Sequence, residues 1–90
     1  FPGWRDLGPE GRGAVLHRLA DLIEANIEPL AQLETLDNGS LLRSHRRGVM
    51  PRVAMNIRFF ADWAMQKLEH PVWQTRGHDN VVTWDPSGVA

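Results

Sequence analysis

The residues best suited to proton transfer or metal ligation are four histidines, His17, His45, His70 and His78. No two stand at the i, i+4 spacing of a helical ligand pair, and no carboxylate completes a metal set with them, so they read as scattered surface histidines. Asp37, Asp62 and His78 could act as acids or bases, but no nucleophile, base and orienting group assemble around them. The glycines of "PGWRDLGPEGRG" imitate a phosphate loop only superficially. No strand precedes them, and neither the Lys-Ser/Thr ending nor the G-x-G-x-x-G spacing is present. The basic run "RSHRRG", with Arg52 and Arg58 beyond it, could meet phosphates from a helix face. Ten basic against eleven acidic residues leave a net charge of −1, which favours a solvated polar face instead. Cysteine is absent, which excludes a disulfide framework, a thiolate metal site and a thiol nucleophile. No catalytic, cofactor-binding or metal-binding set is therefore expected among these residues by themselves.

Ninety residues make one small domain with limited burial. No run approaches the ~20 apolar residues of a membrane span, and no basic and apolar secretory leader opens the chain. A cytoplasmic setting with neither membrane nor nucleic acid as partner is expected. The start at Phe1, without an initiator Met, points to a true N-terminus upstream.

The apolar positions Val15, Leu16, Leu19, Ala20, Leu22 and Ile23 recur at helical spacing and predict a helix over Pro9–Glu24. Pro9 and Glu10 suit its first turn, and Asn26 supplies a stop. A second helix is predicted from about Glu28 to Asp37, with Leu30, Leu33 and Leu36 on one face. In "LETLDNGS" it runs into Gly39, which takes the left-handed conformation of a C-cap at no steric cost. Ser40 can cap a short helix over Leu41–Arg47, closed by Gly48. The longest helix is predicted over Met50–Leu68. Val53, Ile57, Phe60, Ala61, Ala64 and Leu68 form one stripe on it, and Met55, Phe59 and Trp63 a second apolar surface. A helix apolar on two sides is usually sandwiched, so a covering partner is expected.

After Pro71 the period changes to that of strands. Val72, Trp73 and Thr75, then Val81, Val82, Thr83 and Trp84, flank the turn-like "RGHDN", which predicts a β-hairpin. Pro86 should end the pairing or sit at an edge, and Val89-Ala90 begins a further apolar step. A lone hairpin is at best marginally stable in water, so these strands are expected to join another sheet. The fold class expected is mainly α with a C-terminal β-hairpin, divided as a helical segment over 1–70 and a hairpin over 71–90.

Four separated stretches, in order, resemble the aldehyde dehydrogenase superfamily. "RLADLIEANIEPLAQLETLDNGS" (Arg18 to Ser40) is similar to the family's R-L-A-D-L-I-E helix followed by L-A-x-L-E-T-x-D-N-G-K. "FPGW" (Phe1 to Trp4) resembles the segment before it, and "RFFADWAMQKL" (Arg58 to Leu68) the R-[FY]-[FY]-A-x-W-A-x-K helix. "WDPSGVA" (Trp84 to Ala90) resembles the x-x-P-x-G-V stretch leading to the nucleotide-binding sheet. Ser40 departs from the family's Lys, and "LLRSHRRGVM" is less typical. The resemblance implies an N-terminal fragment of an NAD- or NADP-dependent aldehyde dehydrogenase, with its helices beside the Rossmann-like core. The catalytic cysteine, general-base glutamate and cofactor-binding strands of the family fall outside it. The fragment alone is then expected to bind no cofactor and to be inactive. Its partners would be the rest of the enzyme chain and a second subunit, paired through the strands at 72–85.

"PRVAMNIRFFA" (Pro51 to Ala61) is similar to the P-R-x-x-x-N-F-x-F-F-A pattern of muconate-type semialdehyde dehydrogenases, with Ile57 in place of the first Phe. There the arginine after the proline sits at the substrate tunnel. The resemblance assigns that role to Arg52, whose guanidinium fork suits two-point binding of a substrate carboxylate. Asn56 matches the pattern as well, and a packing or capping role fits it equally. The competing reading is an independent helical module that recruits protein or nucleic acid through Arg43, Arg46 and Arg47.

Overall fold

A computed structural model describes residues 2–67, 70–85 and 87–88. Its elements are α1 (Pro2–Asp6), α2 (Gly8–Ala25), α3 (Ile27–Asn38), α4 (Leu42–Ser44), a π-helical turn (His45–Val49), α5 (Met50–Lys67), β1 (Val72–Thr75) and β2 (His78–Val81). Pro9 stands in the first turn of α2, where its missing N–H costs no hydrogen bond, and Glu10 follows it there. Asn26 closes α2: its amide donates to the Ile23 carbonyl and its side chain to the Leu22 carbonyl. The predicted stop at Gly39 holds. Gly39 adopts φ 74, ψ 7, and its N–H donates to the Thr35 carbonyl at 2.9 Å. The short helix α1 was not expected from the sequence.

Two expectations are corrected. Gly48 does not close a separate helix, because α4, the π-helical turn and α5 run on without a break. The wide turn has a physical reason. Pro51 has no N–H to give to the carbonyl four residues back, and its ring crowds that carbonyl. One turn of i→i+5 bonding, in which the Met50 amide reaches the His45 carbonyl, relieves the crowding without ending the helix.

The hairpin is also tighter than predicted. Only Arg76 and Gly77 form the turn, at φ 49 and φ 81, so His78, Asp79 and Asn80 belong to β2. Positive φ at both central residues is the two-residue geometry that matches strand twist, and Gly77 accepts it freely. The antiparallel register pairs Val72 with Val81, Trp73 with Asn80, Gln74 with Asp79 and Thr75 with His78. Val82 adds one more amide bond, to the Pro71 carbonyl. The expected roles of Leu68, Pro86, Val89 and Ala90 lie outside the described residues.

The core lies between α2 and α5, which run antiparallel: Gly13 lies beside Met65, His17 beside Asp62, and Asp21 beside Arg58. The buried apolar residues are small, Ala20, Ala31, Ala54 and Ala61, with Met50 the largest. The predicted stripe on α5 is thus corrected. Phe60 is 63% exposed and Val53 also lies outside the packed face, whereas Met50 and Ala54 lie within it. The second surface of Met55, Phe59 and Trp63 is exposed throughout. No described residue of the helices packs on the hairpin. The radius of gyration, 18.2 Å, exceeds the ~13 Å of a compact chain of this size. Among the described residues no helix is long and apolar enough to cross a membrane.

Because small side chains set the α2–α5 spacing, enlarging one should force the helices apart. Ala20→Leu is expected to cost about 1–3 kcal/mol through overpacking, seen as a lower midpoint of helix melting by circular dichroism. Gly13→Ala should stay near neutral. Its methyl would meet only the flexible tip of Met65, 2.7 Å from the Sδ as placed, and helix propensity favours Ala by about 0.5–1 kcal/mol.

Candidate functional site

Arg52 sits in the first turn of α5, just after Pro51 and the π-helical turn. It is exposed, and no described residue pairs with it. Asn56, one turn on, shares its side of the helix and is exposed too. Met55 and Phe59 continue this accessible surface as apolar residues. What the geometry offers here is a guanidinium at the end of an apolar helix face, suited to hold an anion rather than to react with it.

The proposed acids and bases are not brought together. Asp37 lies in the last turn of α3, Asp62 in the C-terminal half of α5, and His78 opens β2. Asp62 instead faces His17, whose Nε2 lies 2.6 Å from its Oδ1 across the α2–α5 interface. Both are about half exposed, so the pair contributes at most about 1 kcal/mol.

His45 corrects the expectation of scattered surface histidines, for it is only 5% exposed. Its Nε2 meets the Ser40 Oγ at 2.5 Å, and the Ser40 hydroxyl also donates to the Asn38 Oδ1. With that hydroxyl proton given to Asn38, the Ser40 Oγ accepts from the His45 Nε2, and the buried Nδ1 has no described partner. A hydroxyl and an imidazole in contact invite a nucleophilic reading. A catalytic base needs a third group on its other nitrogen, and none is present among the described residues. The cluster ties the end of α3 to the start of the next helix.

The strongest electrostatic feature is Arg58 on α5, which grips both acids of the facing turn of α2. Its guanidinium donates to Asp21 at 2.6 Å and to the two oxygens of Glu24 at 2.7 and 2.9 Å. These bonds hold the Glu24 carboxyl below its ordinary value near 4.5 and raise Arg58 above its own. Arg46 forms a second two-point pair with Glu28, lowering that carboxyl in the same way, with Gln32 assisting. Arg46 therefore belongs to the packing of α3 on the π-helical turn, which takes it out of the basic surface shared with Arg43 and Arg47.

The described residues do not form the strand, glycine-rich turn and helix that hold a nicotinamide dinucleotide. Among the described residues the strands are the hairpin pair, and neither leads through a glycine-rich turn into a helix. The cleft between α2 and α5, lined by Trp4, Pro9, Arg12, Gly13, Leu16, Ala61 and Ala64, holds about 240 Å³. That falls below the ~300–1,000 Å³ of ligand sites.

With the arrangement of the helices and hairpin in view, comparison with known proteins is decisive. The model of the aldehyde dehydrogenase family matches residues 1–90. The chain belongs to the aldehyde dehydrogenase family. It is 48% identical over 61 residues to the 2-aminomuconic semialdehyde dehydrogenase of Bos taurus, covering 68% of this chain and 12% of that protein. It is 41% identical over 87 residues to the NADP/NAD-dependent aldehyde dehydrogenase PuuC of Escherichia coli, covering 96% of this chain and 17% of that enzyme. A putative aldehyde dehydrogenase of Bacillus subtilis, DhaS, is 33% identical over 86 residues, again 96% of this chain and 17% of the relative. The chain thus spans 12 to 17% of the length of these relatives. No solved structure matches.

The Arg58 clasp has a pH signature. Glu24 has a folded pKa below its unfolded value, so the stability it contributes is present above pH 4.5 and is lost as pH falls through the lower, folded value. Arg58→Ala should lower the melting midpoint at neutral pH. The gap between variant and parent should narrow on acidification below pH 4.5, when thermal melts are compared across an acid series.

Proposed function

We propose that this chain is a structural segment of a nicotinamide-dependent aldehyde dehydrogenase that oxidises an aldehyde to a carboxylic acid. The observation that supports this most is the family match over residues 1–90, in a chain that covers 12 to 17% of its relatives' length. In this reading the helical part, 1–70, flanks the nucleotide-binding domain. The exposed apolar face of α5 is where the rest of the enzyme rests on it. The hairpin part, 71–90, belongs to an oligomerisation arm, and its unpaired strand edges add to the sheet of a second subunit. NAD or NADP serves the whole enzyme. In this reading no step is carried by this chain, which offers no cysteine thiolate and, among the described residues, no glycine-rich strand-to-helix turn for the cofactor. The cytoplasm is the setting in which we place it.

The substrate class we propose is a semialdehyde that also carries a carboxylate. Its support is the likeness of Pro51 to Ala61 to the semialdehyde pattern, together with an exposed Arg52 that no described residue engages. Arg52 would grip the carboxylate remote from the aldehyde and so hold the reacting carbon in place.

In the full-length enzyme, Arg52→Ala should reduce kcat/KM for a carboxylated semialdehyde about tenfold or more relative to a neutral aldehyde of similar size. That is the loss of a charged hydrogen bond of about 1.5–3 kcal/mol. An unchanged ratio would remove Arg52 from the substrate site. The 90-residue chain by itself should form no NADH from any aldehyde, and turnover by it would overturn the reading of a structural segment.

A further inference from the structure

We propose that Asn38 is a site of spontaneous deamidation, and that the cap at the end of α3 is the lock that controls it. An asparagine followed by glycine is the least hindered site for this reaction, since Gly39 has no Cβ to obstruct attack by its own amide nitrogen. That nitrogen, once deprotonated, attacks Cγ of Asn38. A C–N bond forms, the Cγ–Nδ2 bond breaks, and ammonia leaves, closing a succinimide ring. Water then opens the ring. Cleavage at Cγ gives aspartate with a normal backbone, and cleavage at the main-chain carbonyl carbon gives isoaspartate. Water is the only co-reactant, and Asn38, Gly39 and Ser40 are all exposed to it.

The folded cap opposes each step with a named contact. The Gly39 amide, which must lose its proton, donates to the Thr35 carbonyl at 2.9 Å. The Asn38 Oδ1 is held by the Ser40 amide at 2.9 Å and by the Ser40 hydroxyl. Ser40 is held in turn by the buried His45. The Asn38 Nδ2 donates to Glu34 at 2.8 Å, so both ends of the side-chain amide are held and cannot turn freely for attack by the Gly39 nitrogen. Asn38 itself is the last residue of α3 and keeps helical backbone geometry. Ring closure therefore requires the cap to open first.

The product would also damage the cap. A carboxylate at position 38 can still accept from Ser40 but has nothing to donate to Glu34. It sets a like charge four residues along the helix, at the negative end of the helix dipole. Isoaspartate further lengthens the backbone by one carbon at the turn. Once reacted, the end of α3 should fray more easily than before.

The test follows Asn38 by peptide mapping during incubation of the 90-residue chain in mildly alkaline buffer, with and without denaturing urea. Aspartate and isoaspartate at position 38 should accumulate severalfold faster in urea. Under native conditions Ser40→Ala should speed the reaction towards the urea rate, with retained helical circular dichroism showing that the fold survives. Gly39→Ala should slow it severalfold in urea, because the methyl obstructs ring closure. Equal parent rates with and without urea would overturn the lock. So would a Ser40→Ala chain that reacts no faster than the parent. Loss of Asn38 in urea undiminished by Gly39→Ala would overturn the ring-closing route.

Discussion

The close antiparallel approach of α2 and α5 is the constraint on which the other features depend. Two helices can come this near only where both present small side chains. Ala20, Ala54 and Ala61 are buried there, while Gly13 lies against Met65. Such a seam buries little apolar area per residue, so hydrophobic stabilisation is modest. Polar pairs along its edges therefore do much to hold the register. Arg58 with Asp21 and Glu24, and His17 with Asp62, pair residues whose positions along the two helices run in opposite order, which fits one antiparallel alignment. With α5 fixed against α2, the π-helical turn at its N-terminus is fixed as well, and Glu28 with Arg46 lays α3 against that turn. Arg52 is thereby left on the free side of the assembly.

Much of this was legible in the residue order. The bounds of α2 and α3 follow from Pro9, Asn26 and Gly39, whose conformational limits act within a few residues and owe nothing to packing. The corrections come where two local rules compete or where the deciding partner is distant. Gly48 and Pro51 both read as breakers, and only the possibility of one wider turn lets the helix pass through them. By propensity alone the β-forming residues after Asn80 outweigh His78 and Asp79 as a strand. The demands of a two-residue turn at Arg76-Gly77 then set the register instead. His17 and Asp62 stand 45 residues apart and carry no shared local signal.

The least legible feature was which apolar face of α5 is covered. Large residues promise the most burial, so Phe60 and Val53 are natural candidates for a core. The chain does the reverse, burying alanines and exposing Phe59, Phe60 and Trp63. Periodicity identifies the faces of a helix but not which neighbour each will meet. The two-sided pattern on α5 predicts a covering partner on each side; within this chain α2 takes the small-residue side, and the larger apolar face is exposed.

That inversion bears on the family membership. A chain selected to stand alone gains by placing its largest apolar groups inside, because each offsets part of the ordering entropy of folding. Here the largest groups are held outward on a rigid helix, and the hairpin displays two strand edges that no described helix covers. Holding such surfaces open is costly in water and makes physical sense when a further surface completes them. Belonging to a family whose matched relatives are more than five times as long accounts for the source of such a surface. The position of Arg52 follows the same logic. A cation at the edge of an uncovered apolar face becomes selective only when that face is closed over it and water is removed, since a charge pair strengthens as the local dielectric falls.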